Sequence, residues 1–345
     1  MKKMIAAILS AVLVMGLLAG CSGTTVVIGN CTCPTGSHEN TPDETIFTAE
    51  GAVKTGLVLV TSVDVTDASS EADGTAEYDV TLVAVLIDED GIIVDCAIDS
   101  VGASVNYDTT GAITSDVAAE VLTKNEKGDS YGMVAWGGAV AEWYEQAEAL
   151  AQYAIGKTLT QLKEGAVGET GYAQDADLAT SATIYLGGYV AAIEAAAANA
   201  KHLGAQAGDE LVLSSVNSLA SSTGGTAELD CDAVALTMKD GVITSCYLDA
   251  LQATVSIDEN GAATVSNTQT KNELGDAYGM VAWAGATYEW YEQAENFAAY
   301  VTGKTPAQVA GIAVTEANKP ADADLATSVT IAIGGFQALI AKAVK

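Results

Sequence analysis

Residues 123–158 read TKNEKGDSYGMVAWGGAVAEWYEQAEALAQYAIGKT, and residues 270–305 read TKNELGDAYGMVAWAGATYEWYEQAENFAAYVTGKT. The two stretches are identical at most positions, and the second begins 147 residues after the first (123 to 270). The same spacing relates DADLATSATIYLGG, from residue 175, to DADLATSVTIAIGG, from residue 322. Self-similarity at a fixed spacing is typical of repeated structural units. We therefore predict two tandem repeat domains, residues 49–201 and 204–345.

Hydrophobic periodicity within each copy predicts strands first and helices later. YDVTLVAVLIDEDGIIVDCAID, residues 78–99, has β-branched and apolar runs around a Glu-Asp-Gly turn, which is typical of a hairpin. ATVSIDENGAATVS, residues 253–266, predicts a second hairpin with a type I′ turn at Asn260-Gly261. Trp143, Ala147, Leu150 and Ala154 then follow helical spacing. We expect an α+β fold in which each repeat is a small antiparallel sheet of hairpins packed with amphipathic helices.

Charge excludes one class of partner. The chain has 45 acidic and 14 basic residues and a formal net charge of -31. Such a field repels phosphate backbones, so nucleic acid is not an expected partner. Most of this charge is interpreted as a solvated surface.

The first residues predict export and anchoring. Residues 1–20 have two lysines, an apolar run and small residues, which is the layout of a signal peptide. Leu18-Ala19-Gly20-Cys21 resembles the bacterial lipobox, in which the cysteine is acylated and becomes the new N-terminus. This resemblance implies membrane attachment through lipidated Cys21 on the outer face of the cytoplasmic membrane. Residues 21–48 are then a flexible tether.

The remaining cysteines do not predict a metal enzyme. Cys31 and Cys33 lie in the tether near His38, where a local disulfide or idle thiols compete with soft-metal binding. With two histidines in the whole chain, we predict no dedicated metal site. Cys96 and Cys246 stand in apolar strand-like runs and are interpreted as small core residues.

The duplicated DADLATS segment carries the strongest functional signal. Asp177, Thr180, Ser181 and Thr183 have the spacing D-x-x-[ST]-x-A-[ST]. This resembles D-x-x-[ST]-G-A-[ST], the signature of the FMN-binding domain family of extracytoplasmic flavoproteins and of membrane reductase subunits. In that family a flavin transferase joins FMN to the last hydroxyl residue through a phosphoester.

Carried over residue by residue, the resemblance implies attachment at Thr183 and a motif carboxylate at Asp177. The second copy supplies the same motif positions, Asp324, Thr327, Ser328 and Thr330. Serine occupies the family's glycine position in both copies, and Val329 replaces the alanine in the second.

An isoalloxazine ring would need an apolar surface, and the aromatic residues of each copy are candidates. Tyr131 and Trp136, with their counterparts Tyr278 and Trp283, lie in glycine-rich segments where packing explains them less easily. The helical Trp143 and Trp290 are interpreted as core residues instead.

Two functional hypotheses follow. In the first, the chain is a surface-anchored FMN-binding electron carrier in extracellular electron transfer, which passes electrons from a membrane quinone-linked dehydrogenase toward an extracellular acceptor. In the second, it is a non-catalytic binding or structural lipoprotein, and the motif only caps a helix. Both favour a carrier or binding protein over a catalyst with its own substrate, because no catalytic constellation occurs in both copies.

Overall fold

A computed structural model describes residues 50–345. The predicted signal peptide, Cys21 and the tether with Cys31 and Cys33 lie outside the described residues. The strands are β1 (Lys54–Thr66), β2 (Gly74–Ile87), β3 (Ile93–Tyr107), β4 (Glu210–Ser218), β5 (Thr226–Lys239), β6 (Val242–Ile257) and β7 (Ala263–Asn267).

The helices include both single short turns and longer helices. They are α1 (Lys124–Lys127), α2 (Met133–Gly137), α3 (Trp143–Ala154), α4 (Leu159–Ala166), α5 (Leu178–Ser181), α6 (Gly187–Ala198), α7 (Lys271–Leu274), α8 (Met280–Ala284), α9 (Trp290–Val301), α10 (Pro306–Ala310) and α11 (Gly334–Ala343). Turns of 3-10 helix cover Gly128–Tyr131, Gly275–Tyr278 and Leu325–Thr327. The boundary expected at 201–204 falls between α6 and β4.

Two antiparallel sheets form the centre of the part of the chain that the structure describes. Their strand orders are β1-β2-β3 and β4-β5-β6-β7, so each strand pairs with its neighbour in sequence. The hairpin predicted at residues 78–99 is confirmed as β2-β3, and β5-β6 repeats it around Asp240-Gly241. The hairpin predicted at residues 253–266 joins β6 to β7. Its type I′ turn is wrong, because only Gly261 has a positive φ there and Asp258 Oδ1 organises the loop by accepting from the Asn260 and Ala262 N–H groups.

The central strands of the two sheets carry buried residues on both faces. One face of β2, which carries Tyr78, Val80 and Leu82, packs in a shared core with Leu229 and Cys231 of β5 from the other sheet. The opposite faces pack against helices, in one cluster that includes α3 and α6 and in another that includes α9 and α11. The order of layers is therefore helices, sheet, sheet, helices. The α+β class is confirmed, and the sheet-on-sheet core makes the described residues part of one compact unit.

The longer helices agree with the periodicity. Trp143 and Trp290 are buried in the first turns of α3 and α9, which confirms their interpretation as core residues. Cys96 and Cys246 are also buried, as predicted. The helices α3 and α9 end two residues before Gly156 and Gly303, because the backbone turns to an extended conformation at Ile155 and Thr302.

Polar contacts join the two halves of the chain. Thr55 of β1 and Ser245 of β6 share a buried hydrogen bond of 2.8 Å between their hydroxyl oxygens. Lys201, just after α6, forms an ion pair with Glu295 of α9, and Lys342 of α11 forms one with Glu126 of α1. The C-terminal end of each half's last helix therefore contacts the other half.

A buried carboxyl group near this junction gives a pH prediction. Asp249 Oδ1 accepts hydrogen bonds from the Ala250 and Asn272 N–H groups, but burial raises the pKa of Asp249 to about 6. Between pH 4 and 6, Asp249 is therefore protonated in the folded chain but already ionised in the unfolded chain. The contribution of this group to stability falls as the pH rises through that window.

We expect Asp249→Asn to remove this penalty. Relative to the natural chain, the variant should gain up to about 3 kcal/mol in unfolding free energy above pH 7, and this gain should shrink towards pH 4. Urea unfolding at several pH values measures the difference. The exposed Asp90→Asn is the control, and a difference for Asp249→Asn that does not vary with pH would contradict the assignment.

Candidate functional site

The duplicated motif folds into a short helix followed by an extended link. The helix α5 is capped by Asp175, whose Oδ1 accepts from the N–H groups of Asp177 at 2.9 Å and Leu178 at 3.1 Å. Asp322 makes the same two bonds in the second half. The motif carboxylate Asp177 is exposed, and its side chain makes no hydrogen bond within the described residues.

The motif hydroxyls point to carbonyl groups rather than to free N–H groups. Thr180 Oγ1 donates to the Asp177 carbonyl at 2.7 Å, and Ser181 Oγ donates to the same oxygen at 3.3 Å. Thr327 repeats the contact of Thr180 by donating to Asp324 at 2.6 Å. Hydroxyl groups inside a helical turn often bond backwards in this way. The interpretation of these side chains as helix caps is therefore wrong, because Asp175 and Asp322 already occupy the capping position.

Thr183 lies in the link between α5 and α6 and is held by a glutamine. Gln146 Oε1 accepts from the Thr183 N–H at 2.7 Å, from the Thr183 hydroxyl at 3.2 Å and from the Ile184 N–H at 3.1 Å. Gln146 itself is fully buried in α3, whereas Thr183 is exposed. The hydroxyl hydrogen is thus directed at the glutamine, and the acceptor lone pairs of Oγ1 remain unused.

The second half repeats this arrangement with nearly the same hydrogen-bond distances. Gln293 Oε1 accepts from the Thr330 N–H at 2.7 Å, from its hydroxyl at 3.1 Å and from the Ile331 N–H at 3.1 Å. Thr330 is half-buried, so its hydroxyl is less accessible than that of Thr183. Sequence reasoning missed both glutamines. The available signal was an amide residue on the otherwise apolar face of the helix, present in both copies of WYEQ.

The serine at the family's glycine position does not strain the backbone. Ser181 ends α5, and Ser328 has φ -117° and ψ -14°, in the right-handed region. Among the described residues other than glycine, positive φ values occur at Asp240 and Asn318. The conformation of the motif therefore does not require glycine at this position.

The predicted ring-stacking residues lie in short helical turns rather than in an open loop. Trp136 belongs to α2, where its backbone N–H donates to the Gly132 carbonyl at 2.9 Å. The indole lies against Gly132, where a Cβ atom would stand 2.3 Å from its Cδ1, and Gly132 has φ 83°. Trp136 is 89% exposed and Trp283 is 88% exposed. Each indole forms an open platform on the surface rather than the wall of a closed pocket.

A buried carboxylate fixes the platform. Glu142 Oε2 accepts from the Met133 N–H at 2.8 Å, and Oε1 accepts from the Val134 N–H at 3.0 Å, so one side chain caps the first turn of α2. Glu289 caps α8 with the same contacts at 2.8 and 2.9 Å. A tryptophan so exposed on a fixed turn points to a contact surface.

Gln146 connects the platform to the motif. Its Nε2 donates to the Ala141 carbonyl at 2.8 Å, immediately after the tryptophan segment, while its Oε1 holds Thr183. The structure therefore brings the two predicted parts of the site to the same end of α3. Gln293 makes the corresponding bond to the Tyr288 carbonyl at 2.8 Å.

The tyrosines of the predicted site are less exposed than the tryptophans. The ammonium group of Lys124 lies 5.4 Å from the ring centre of Tyr131 and 5.1 Å from that of Trp143. Lys271 lies 5.1 Å from the ring centre of Tyr278, whose hydroxyl donates to Gln252 Oε1 at 3.0 Å. In each half, one lysine therefore lies within cation–π distance of both a site tyrosine and a core tryptophan.

In residues 50–345, no group of three or more histidine, cysteine, aspartate or glutamate side chains is arranged to hold a metal ion. Within the same residues, no helix has both the length and the apolar character needed to cross a bilayer.

Comparisons with known proteins give a short similarity. A stretch of 63 residues is 41% identical to a chlorophenol reductase of Desulfitobacterium hafniense, and it covers 18% of this chain and 19% of that protein. The chain thus matches less than a fifth of the length of this curated relative. No family model matches the chain, and no solved structure does.

Proposed function

We propose that the protein is a lipid-anchored, extracytoplasmic FMN-binding electron carrier, with FMN joined to Thr183 and Thr330. The observation that carries this proposal is the twin arrangement of an accessible threonine hydroxyl held by a buried glutamine. A hydroxyl that served only to cap a helix would bond to free N–H groups, whereas Thr183 Oγ1 bonds to Gln146 and keeps its lone pairs unused.

The chain's own groups have distinct parts in this proposal. Thr183 Oγ1 would form the ester by attacking the flavin-bearing phosphorus of a flavin dinucleotide held by the transferase. The pyrophosphate P–O bond would break, the nucleoside monophosphate would leave, and the hydroxyl proton would pass to a base of the transferase. The N–H groups of Thr183 and Ile184 remain bonded to Gln146, so the link keeps its place after the hydroxyl hydrogen is lost. Asp177, exposed and without a hydrogen-bond partner in the described residues, is available to the flavin transferase.

Bound FMN would supply the redox chemistry, since its ring accepts and releases electrons. Trp136 and Trp283 offer flat apolar faces for such a ring, and the rigid turns that hold them keep those faces in place without the motion of a long loop. The electron donor in this proposal is a membrane quinone-linked dehydrogenase. The short similarity to a protein named as a reductase is in keeping with a redox role.

A binding or structural lipoprotein is the second candidate. The exposed indoles favour it, because such surfaces often contact a partner. In this case the motif would serve only the local structure, and the purified protein would be colourless.

Production of the full chain with and without a flavin transferase tests the proposal. We expect a yellow protein whose flavin fluorescence survives denaturing electrophoresis only when the transferase is present. Fluorescence that is lost from the protein in denaturant would show that FMN is bound without a covalent bond. A colourless protein in the presence of an active transferase, shown by a control substrate of that enzyme, would overturn it.

A further inference from the structure

The two halves differ in the aromatic residues beside the motif, although the surrounding sequence is repeated. Tyr172 and Tyr185 form an edge-to-face pair in the first half, with ring centres 5.8 Å apart and ring planes at 89°. The corresponding residues of the second half are Lys319 and Ala332. The aromatic pair is therefore present once, although the threonine and its glutamine are present twice.

Both rings are accessible. Tyr172 is 50% exposed and Tyr185 is 55% exposed, and neither hydroxyl makes a hydrogen bond within the described residues. Tyr185 lies two residues after Thr183, in the same link between α5 and α6. The two rings therefore present apolar surface that a planar ligand can contact.

The residue beneath the Tyr185 ring differs between the two halves, although both halves keep a positive φ at this position. The Tyr185 ring lies directly on Gly171, where a Cβ atom would stand 2.2 Å from Cε2. In the second half the equivalent position is Asn318, and both residues have positive φ, 77° and 57°. The carbonyl groups of both accept the same bond, from Leu186 and from Ile333, at 2.8 Å. The backbone is thus the same, and glycine stands where the ring needs the space.

From these observations we infer that Tyr172 and Tyr185 form a ring-binding surface for the flavin on Thr183, and that the two halves hold their flavins in different environments. This inference rests on the proposed function. The first flavin contacts electron-rich phenol rings, and the second has a lysine and an alanine in their place. The exposed tryptophans do not account for a difference between the halves, because Trp136 and Trp283 are matched in position and exposure.

Flavin fluorescence tests the inference, because a phenol ring in contact with an excited flavin quenches it by donating an electron. The full chain is produced with a flavin transferase in two forms: Thr330→Ala, which leaves the first site, and Thr183→Ala, which leaves the second. Intact mass gives the flavin content of each form, and emission is divided by flavin absorbance. We expect the first-site flavin to be several-fold dimmer than the second-site flavin.

Two further variants separate the tyrosines from other causes. Tyr172→Leu with Tyr185→Leu, in the Thr330→Ala form, should raise the emission several-fold. Asn318→Gly, Lys319→Tyr and Ala332→Tyr, in the Thr183→Ala form, should lower it. Equal emission from the two single-site forms, or no change on removing the tyrosines, would overturn the inference while leaving attachment intact. Absence of flavin from every form would overturn the proposed function as well.

Discussion

Replacing Gln146 with leucine should lower the free energy of unfolding by about 2–4 kcal/mol, because one carbonyl, two N–H groups and the Thr183 hydroxyl lose a buried partner at once. The substitution keeps most of the side-chain volume, so the loss reports the amide and not a cavity. The Ala141 carbonyl loses a donor, and the N–H groups of Thr183 and Ile184 lose their acceptor. Urea unfolding followed by circular dichroism measures the change.

A matched control lies on the same helix. Gln152 is exposed and bonds only to Glu148 on its own face of α3, so Gln152→Leu should change the stability by no more than about 0.5 kcal/mol. Gln293→Leu should repeat the loss in the second half. A Gln146→Leu variant as stable as the control would show that the glutamine does not hold the motif.

Substituting the two motif threonines should remove flavin in steps. Thr183→Ala and Thr330→Ala should each leave one FMN on the chain, and the double variant should carry none, because the ester oxygen is absent. The effect is all-or-none at each site, and denaturing electrophoresis with fluorescence detection and intact mass both measure it. Each alanine loses one hydrogen bond to a glutamine, so the fold should be retained.

Thr180→Ala and Thr327→Ala are the matched controls for this prediction. Their hydroxyls lie three residues earlier in the same motifs and donate to the Asp177 and Asp324 carbonyls. These variants should keep both flavins. If the double variant at Thr183 and Thr330 retained covalent flavin, or if a control lost it, the assignment of the attachment oxygen would be wrong.

The local elements of the fold could be predicted because their causes lie close together in the sequence. The Asp-Gly turns specify the hairpins, and the apolar spacing from Trp143 to Ala154 specifies α3. The packing of one sheet on the other could not be predicted in the same way. From Leu82 to Ile87 both faces of β2 are apolar, and nothing in the local pattern states that one of them packs against β5 of the other half.

The candidate site was predictable in its residue types but not in its contacts. The repeat singled out Thr183 and Trp136, and the structure places both segments against α3. Gln146 holds Thr183 from 37 residues earlier in the chain, and Glu142 holds backbone groups of α2 that lie 8 and 9 residues before it. Such contacts depend on tertiary packing. The capping interpretation was wrong for a local reason, since Asp175 stands two residues before Asp177 and reaches the same N–H groups first.

The most direct test of the central claim is the intact mass of the mature protein purified from its own host. We predict the mass of the chain beginning at Cys21 plus its acyl groups, with two further increments that each equal FMN less one water. Peptide mapping should place these increments on Thr183 and Thr330. A mature protein that carries no such increment, from cells whose other flavoproteins are flavinylated, would contradict the account.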